Sequence, residues 1–89
     1  MSYKIELDDS ARNYANKLVK STLIIIAKKL SQMERDDLHP RRLKGKLPIY
    51  VEECGQFRIC FGIDSQKKIK SIFFIGNHKE YGRWYKSIG

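Results

Sequence analysis

KLPIYVEECGQFRICFGI, residues 46–63, alternates apolar and polar side chains on both sides of Cys54-Gly55, and that alternation decides the fold. A period of two marks an extended strand with one buried face, and a glycine between two such runs marks the turn of a β-hairpin. With the turn centred on Gly55, Leu47, Ile49 and Val51 share a face with Phe57, Ile59, Phe61 and Ile63. Tyr50 and Glu52 then share the other face with Arg58, Cys60 and Gly62. The first face is core and the second is not. This register sets Cys54 opposite Gln56 and away from Cys60, so no cross-strand disulfide is expected; a slip of one residue would exchange the faces.

Outward from the hairpin, residues 64–67 form a turn and residues 68–75 (KIKSIFFI) a fourth strand, apolar enough on both sides to be central. Gly76 ends it, and residues 78–85 can form a short C-terminal helix. At the other end of the chain, residues 2–7 alternate with Tyr3, Ile5 and Leu7 on one side, which predicts a short strand. Asp8, Asp9 and Ser10 then offer cap oxygens to a helix carrying Ala11, Tyr14, Ala15 and Leu18 at helical spacing. Ser21 and Thr22 can cap a second helix whose stripe is Leu23, Ile26, Ala27, Leu30 and Met33, with Lys28, Lys29, Gln32 and Arg35 turned outward. A helical hairpin and one bent helix both fit. Residues 36–43 (DDLHPRRL) are polar and hold a proline, so they predict an extended connection.

The expected architecture is α+β, in the order β-α-α-β-β-β. Two N-terminal helices pack on one face of a small twisted, mainly antiparallel four-stranded sheet, followed by a short C-terminal helix, within a single domain spanning residues 1–89. The opposite face is left concave and open, with Arg58 on it.

Eighty-nine residues with 42% hydrophobic and 11% aromatic content can pack one core. Eighteen Lys and Arg against ten Asp and Glu give a net charge of +8, a field that concentrates polyanions. Nucleic acid or an acidic protein is the expected partner. The uncharged run at residues 21–27 is far shorter than the roughly 20 residues of a membrane span. The start, MSYKIELDDS, is acidic where a secretory leader would be basic and then apolar, which predicts a cytoplasmic protein with no membrane partner. Cys54 and Cys60 sit in no metal-binding pattern, and the chain holds no phosphate-cradling glycine loop, no HExxH and no GxSxG. Neither a metal nor a cofactor is expected.

Arg58 interrupts an apolar strand (F-R-I-C-F) where a charge must justify its desolvation. A guanidinium there can hold a phosphate bidentately, or it can simply pair across the strands with Glu52. His78 follows the last strand and can serve as a general acid toward the 5′-oxygen leaving group of a phosphodiester, though an isolated histidine is more often a surface or capping residue. Tyr81, one helical turn on, can bond a phosphate oxygen or stack on a base. Packing onto the sheet is the simpler reading of the aromatics in that helix, and for Trp84 it is the preferred one. Residues 40–46 (PRRLKGK) form a basic loop suited to backbone phosphates, through Arg41, Arg42, Lys44 and Lys46, with Lys79 and Arg83 adding charge from the C-terminal helix. In the predicted sheet Lys44 and Lys46 approach the edge that holds Glu52 and Arg58, and Glu52 is a candidate base or Arg58's ion-pair partner. RNA transesterification without a metal needs only positive charge, an acid, a base and an oriented 2′-hydroxyl.

Leu43-Lys44-Gly45, Phe57-Arg58-Ile59 and Phe74-Ile75-Gly76-Asn77-His78-Lys79-Glu80-Tyr81 occur in this order within one small domain. Together they resemble the RelE/ParE toxin superfamily, particularly its RelE and HigB branches, over about residues 36–85. The resemblance implies the toxin of a type II toxin-antitoxin system that enters the ribosomal A site and cleaves mRNA, held inactive by a cognate antitoxin. It implies that Arg58 stabilises the phosphate, that His78 and Tyr81 serve proton transfer or positioning, and that Lys44 or Lys46 holds RNA backbone. RelE-type enzymes often carry lysines on the strand after the L-K-G turn, whereas here that stretch is Val51-Glu52-Glu53. The alternatives are a ParE-like inhibitor of DNA gyrase, which needs no nuclease residues, and a nonenzymatic basic RNA-binding module.

Overall fold

The computed structural model describes residues 2–35, 41–42 and 49–88. The elements run β1 (Lys4–Leu7), α1 (Asp9–Asn16), α2 (Lys20–Gln32), β2 (Arg41–Arg42), β3 (Tyr50–Cys54), β4 (Phe57–Asp64), β5 (Ile69–Asn77) and α3 (His78–Ile88). They form one sheet in the order β1-β5-β4-β3-β2, in which β1 runs parallel to β5 and every other pair is antiparallel. The four expected strands and three helices are present. The two-residue β2, within the stretch read as a connection, extends the sheet beyond β3. No helix among the described residues is long and apolar enough to cross a membrane.

Side-chain chemistry fixes the start of α1 but not of α2. Asp8 caps α1 by accepting a 2.8 Å hydrogen bond from the Ala11 amide. A break at residues 17–19 separates α1 from α2, which resolves the pair as two helices. The expected caps Ser21 and Thr22 lie inside α2, and Val19, with no side-chain cap, precedes it. From α2, Ile26 and Met33 point into the core, where they meet Ala11, Ile59, Phe61, Ile72 and Ile75, all at most 1% exposed. Leu23 and Ala27, expected on the same stripe, are exposed. Lys29, expected outside, turns in toward the sheet.

Lys70 is the one charged side chain buried among the described residues, at 2% exposure. Its ammonium donates to the carbonyls of Met33, at 2.6 Å, and Arg35, at 3.3 Å, and lies 5.0 Å from the Tyr3 ring centroid. Carbonyl oxygens left over at the end of α2 and a π face offset the desolvation of the cation. The C-terminal end of α2 is thereby tied to β5.

The hairpin register differs from the expected one. Glu53 pairs with Arg58, Glu52 with Ile59 and Cys54 with Phe57. The loop is the two residues Gly55 and Gln56, with Gly55 at φ +61, the pattern of a type II′ turn. A two-residue loop centres between Gly55 and Gln56 rather than on Gly55, so β3 is shifted by one residue and its faces exchange. Val51 and Ile49 therefore join Cys60 and Phe74 on the face away from Ile26 of α2, where Tyr14 of α1 also reaches the Phe74 ring at 4.8 Å between centroids, and Tyr50 packs with the helix-side core. Cys54 and Cys60 are free thiols on opposite faces.

Candidate functional site

Arg58 is the second residue of β4, between Glu53 on β3 and Gly76 on β5. Its neighbour Ile59 points to α1 and α2, so Arg58 points to the other face. That face is not left bare. Directly after β5, Asn77 accepts from the Glu80 amide at 2.8 Å and donates its own amide to the Glu80 carboxylate at 3.0 Å. This reciprocal capping box starts α3 at His78 and turns it back across the sheet. The Asn77-x-x-Glu80 spacing, a local signal that the sequence reading did not use, fixes where the helix begins.

Gly76 makes the turn possible by close approach. A Cβ there would meet the Phe74 ring at 2.6 Å and the Glu80 side chain at 3.1 Å. With that space open, α3 lays Trp84 on Phe74, ring centroids 5.1 Å apart, and Tyr81 beside both. Trp84 packs as expected from the sequence.

The guanidinium of Arg58 sits over the Tyr81 ring, 4.6 Å from Cζ to the centroid, and its Nη2 is 3.8 Å from a Glu53 carboxylate oxygen. Its Nε is buried and makes no hydrogen bond to any described residue. The cation is thus oriented by a π face and a loose ion pair, with donor capacity in reserve for a further acceptor. Burial holds the Tyr81 phenol above its usual range, reinforced by Cys60 and partly opposed by Arg58. Burial likewise pushes the Cys60 thiol up to about 12, although Arg58 acts in the opposite direction. At neutral pH Tyr81 is a hydrogen-bond donor rather than a base, and Cys60 is packing rather than a nucleophile.

His78 is exposed at the start of α3, one turn before Tyr81. It lines an open depression of about 340 Å³ with Gln56, Asn77 and Lys79, at the sheet end that carries Arg58. Lys79 and Arg83 lie on the same helix, Lys79 exposed beside His78 and Arg83 one turn further on.

Glu52 is not part of this arrangement. It lies on the helix side of the sheet, where its carboxylate meets Lys29 of α2 at 3.2 Å. The residue that sequence reasoning missed is Glu53, and the one-residue offset imposed by the turn explains the exchange. Arg41 and Arg42 form β2 and pair with Val51 and Tyr50. Lys44, Lys46 and the Leu43-Lys44-Gly45 turn lie outside the described residues. Among the described residues no three His, Cys, Asp or Glu side chains gather in a way that would hold a metal ion.

No protein-family model matches the chain, and no curated protein sequence matches it. Solved structures do. A chain of the RelBE2 toxin-antitoxin complex from Mycobacterium tuberculosis superposes with a TM-score of 0.81 at 17% identity, over 88% of this chain and 100% of that one. The isolated RelE toxin of E. coli gives 0.72 at 19% identity, over 99% and 100%. The archaeal RelE-RelB complex from Pyrococcus horikoshii OT3 gives 0.68 at 15%, over 86% and 96%. The fold is that of the RelE toxin structures, and the resemblance drawn from the three motifs holds at that level.

Proposed function

We propose that this protein is the toxin of a type II toxin-antitoxin pair and acts as a metal-free, ribosome-dependent endoribonuclease on mRNA, held inactive by a cognate antitoxin. The observation that carries this reading is the Arg58 guanidinium, stacked on Tyr81 and aimed away from the helical layer, with His78 at the head of the same helix. The RelE fold supports it, and the structural neighbours include toxin-antitoxin and RelE-RelB complexes.

In the proposed reaction a 2′-hydroxyl attacks the adjacent phosphorus and the 5′-oxygen leaves. Arg58 stays charged throughout and takes up the negative charge that grows on the phosphate oxygens. Its pairing with Glu53 at 3.8 Å is loose, so a phosphate can compete for the same guanidinium. Tyr81, kept protonated by burial, donates to a phosphate oxygen. His78 gives a proton to the leaving 5′-oxygen, and Glu53, in place of Glu52, is the carboxylate that takes the proton of the attacking 2′-hydroxyl. Lys79, Arg83, Arg41, Arg42, Lys44 and Lys46 bind RNA backbone, and the site of action is the A site of a cytoplasmic ribosome.

The test is incubation of purified protein with ribosomes programmed with mRNA. Cleavage within A-site codons is the expected result. Gyrase-dependent DNA breaks without mRNA cleavage would assign the protein to the ParE-like reading, and RNA binding without cleavage to a nonenzymatic module.

A further inference from the structure

Resting on the proposal that Arg58 holds an RNA phosphate, we infer that Phe73 and the depression beside it form a stacking subsite for a neighbouring nucleobase. In the β4–β5 ladder Cys60 pairs with Phe74 and Phe61 with Ile72, so Phe73 is an extra residue of β5, a β-bulge. Ile72 stays with the helix-side core, while Phe73 turns to the Arg58 face and packs with the cluster of Ile49, Cys60 and Phe74. Its ring lies against Gly62, where an added Cβ would come within 3.1 Å of Phe73 Cζ. A glycine inside a strand weakens it, so the residue earns its place by giving the ring room. Phe73 nevertheless stays half-buried. It lines an open depression of about 460 Å³ with Ile49, Gly62, Ser71 and Asp64. Bulges are found beside functional sites because they re-aim a side chain, and here the re-aimed side chain is an aromatic ring facing open space.

Position on the sheet selects the occupant. Gly62 and Arg58 lie four residues apart on β4 and share a face, which sets them about 13 Å apart along the strand. A single strand of RNA that follows β4 with one phosphate on Arg58 therefore carries a nearby base over Phe73. β2 brings Arg41 and Arg42 beside β3 at Val51 and Tyr50, next to Ile49, so this end of the sheet also holds positive charge for the RNA backbone. A base stacks on an aromatic ring whatever its identity, and Ser71 and Asp64 offer acceptors to an amino edge. A peptide strand cannot add to the sheet at this point, because β4 and β5 are interior strands paired on both sides.

The test binds the full chain to ribosomes programmed with an mRNA that carries 2′-O-methyl groups in and around the A-site codon, which block cleavage, and 5-iodouridine at one position at a time. Irradiation followed by mass spectrometry is expected to find Phe73 joined to the base at one position near the scissile phosphate. In a cleavable mRNA, an abasic nucleotide at that position is expected to raise KM about tenfold with a smaller effect on kcat, the scale of one base–aromatic stack. Phe73→Leu keeps apolar volume and loses the ring. It is expected to raise KM by a similar factor on normal mRNA and no further on the abasic one, whereas Phe73→Tyr retains the parent KM. Cross-links to α3 with none to Phe73, equal KM for abasic and normal mRNA, or additive losses in Phe73→Leu would each overturn the subsite and leave the nuclease reading standing. A Phe73 cross-link without cleavage by the parent would support the subsite and overturn the nuclease reading. Neither cleavage nor any cross-link would overturn both.

Discussion

Arg58 places its guanidinium 4.6 Å from the centroid of the Tyr81 ring, so a residue of the middle strand and a residue of the last helix act as one unit. Neither could hold this position alone. β4 supplies the cation, and α3 supplies the surface that stops it from folding back along the sheet. The contact is set by the Asn77–Glu80 capping box and the absence of a side chain at Gly76.

Arg58→Ala is expected to lower single-turnover mRNA cleavage by about 10²-fold or more, the scale for removing one preorganised stabiliser of transition-state charge. Arg58→Lys should recover little, because an ammonium neither stacks on the Tyr81 ring in the same way nor grips a phosphate bidentately. Cleavage by Arg58→Lys at the wild-type rate would mean that positive charge alone suffices.

His78→Ala is expected to cost about 10²- to 10⁴-fold if the imidazole protonates the leaving oxygen. A mRNA carrying sulfur at the scissile 5′-bridging position expels a good leaving group that needs no acid. The variant should therefore cut that substrate at nearly the wild-type rate. A defect of the same size on both substrates would remove His78 from the acid role.

Glu53 and Glu52 should separate cleanly. Glu53→Gln is expected to reduce cleavage while leaving the urea midpoint within error, because its carboxylate faces Arg58 at a half-exposed position. Glu52→Gln should cleave normally and lose under about 1 kcal/mol of stability, the range for a partly exposed ion pair with Lys29. The reverse pattern would favour the register centred on Gly55.

The two glycines flanking the site predict opposite effects. Gly76→Ala forces a methyl group to within 2.6 Å of the Phe74 ring, so α3 must shift, and both stability and cleavage should fall. At Gly82, in the middle of α3, an added methyl group would meet nothing within 4 Å. Gly82→Ala should raise stability by about 0.5–1 kcal/mol with activity retained. Thermal melts of both variants check this.

Cys60 provides a pH dependence. Its thiol is pushed from 9.0 to about 12 by burial, so the unfolded chain loses this proton at a lower pH than the folded one. The stabilising contribution is full below 9.0 and declines as pH rises from there toward about 12, by at most about 1.4 kcal/mol per pH unit. Urea midpoints measured from about pH 8 to about pH 10.5, a window that spans the onset of this titration, should decline less steeply in Cys60→Ala than in the parent. Identical slopes would show that other groups govern the alkaline limb.

Much of this was readable in advance where the signal is local. The period-two runs located β1, β3 and β4, the run apolar on both sides located β5, the acidic cluster at Asp8 located the start of α1, and the interruption of an apolar strand singled out Arg58. The Asn77–Glu80 capping pair is equally local, but the sequence reading did not use it, and it emerged only with the structure. The identity of the carboxylate beside Arg58 was not readable in the same way. Each of Glu52 and Glu53 fits one parity of the hairpin, and the choice rests on whether one or two residues make the turn.

By itself the amino-acid sequence determined the order of the elements, the helical layer under the sheet and the side of β4 from which Arg58 projects, because each follows from a repeat read over a few neighbouring residues. Only the tertiary structure decided that Glu53 and not Glu52 faces Arg58, that α3 folds back so Tyr81 underlies the guanidinium, and that Leu23 and Ile24 remain in water. Those outcomes depend on which side chains fill the space between elements distant along the chain, and a difference of one residue in a turn is enough to change them.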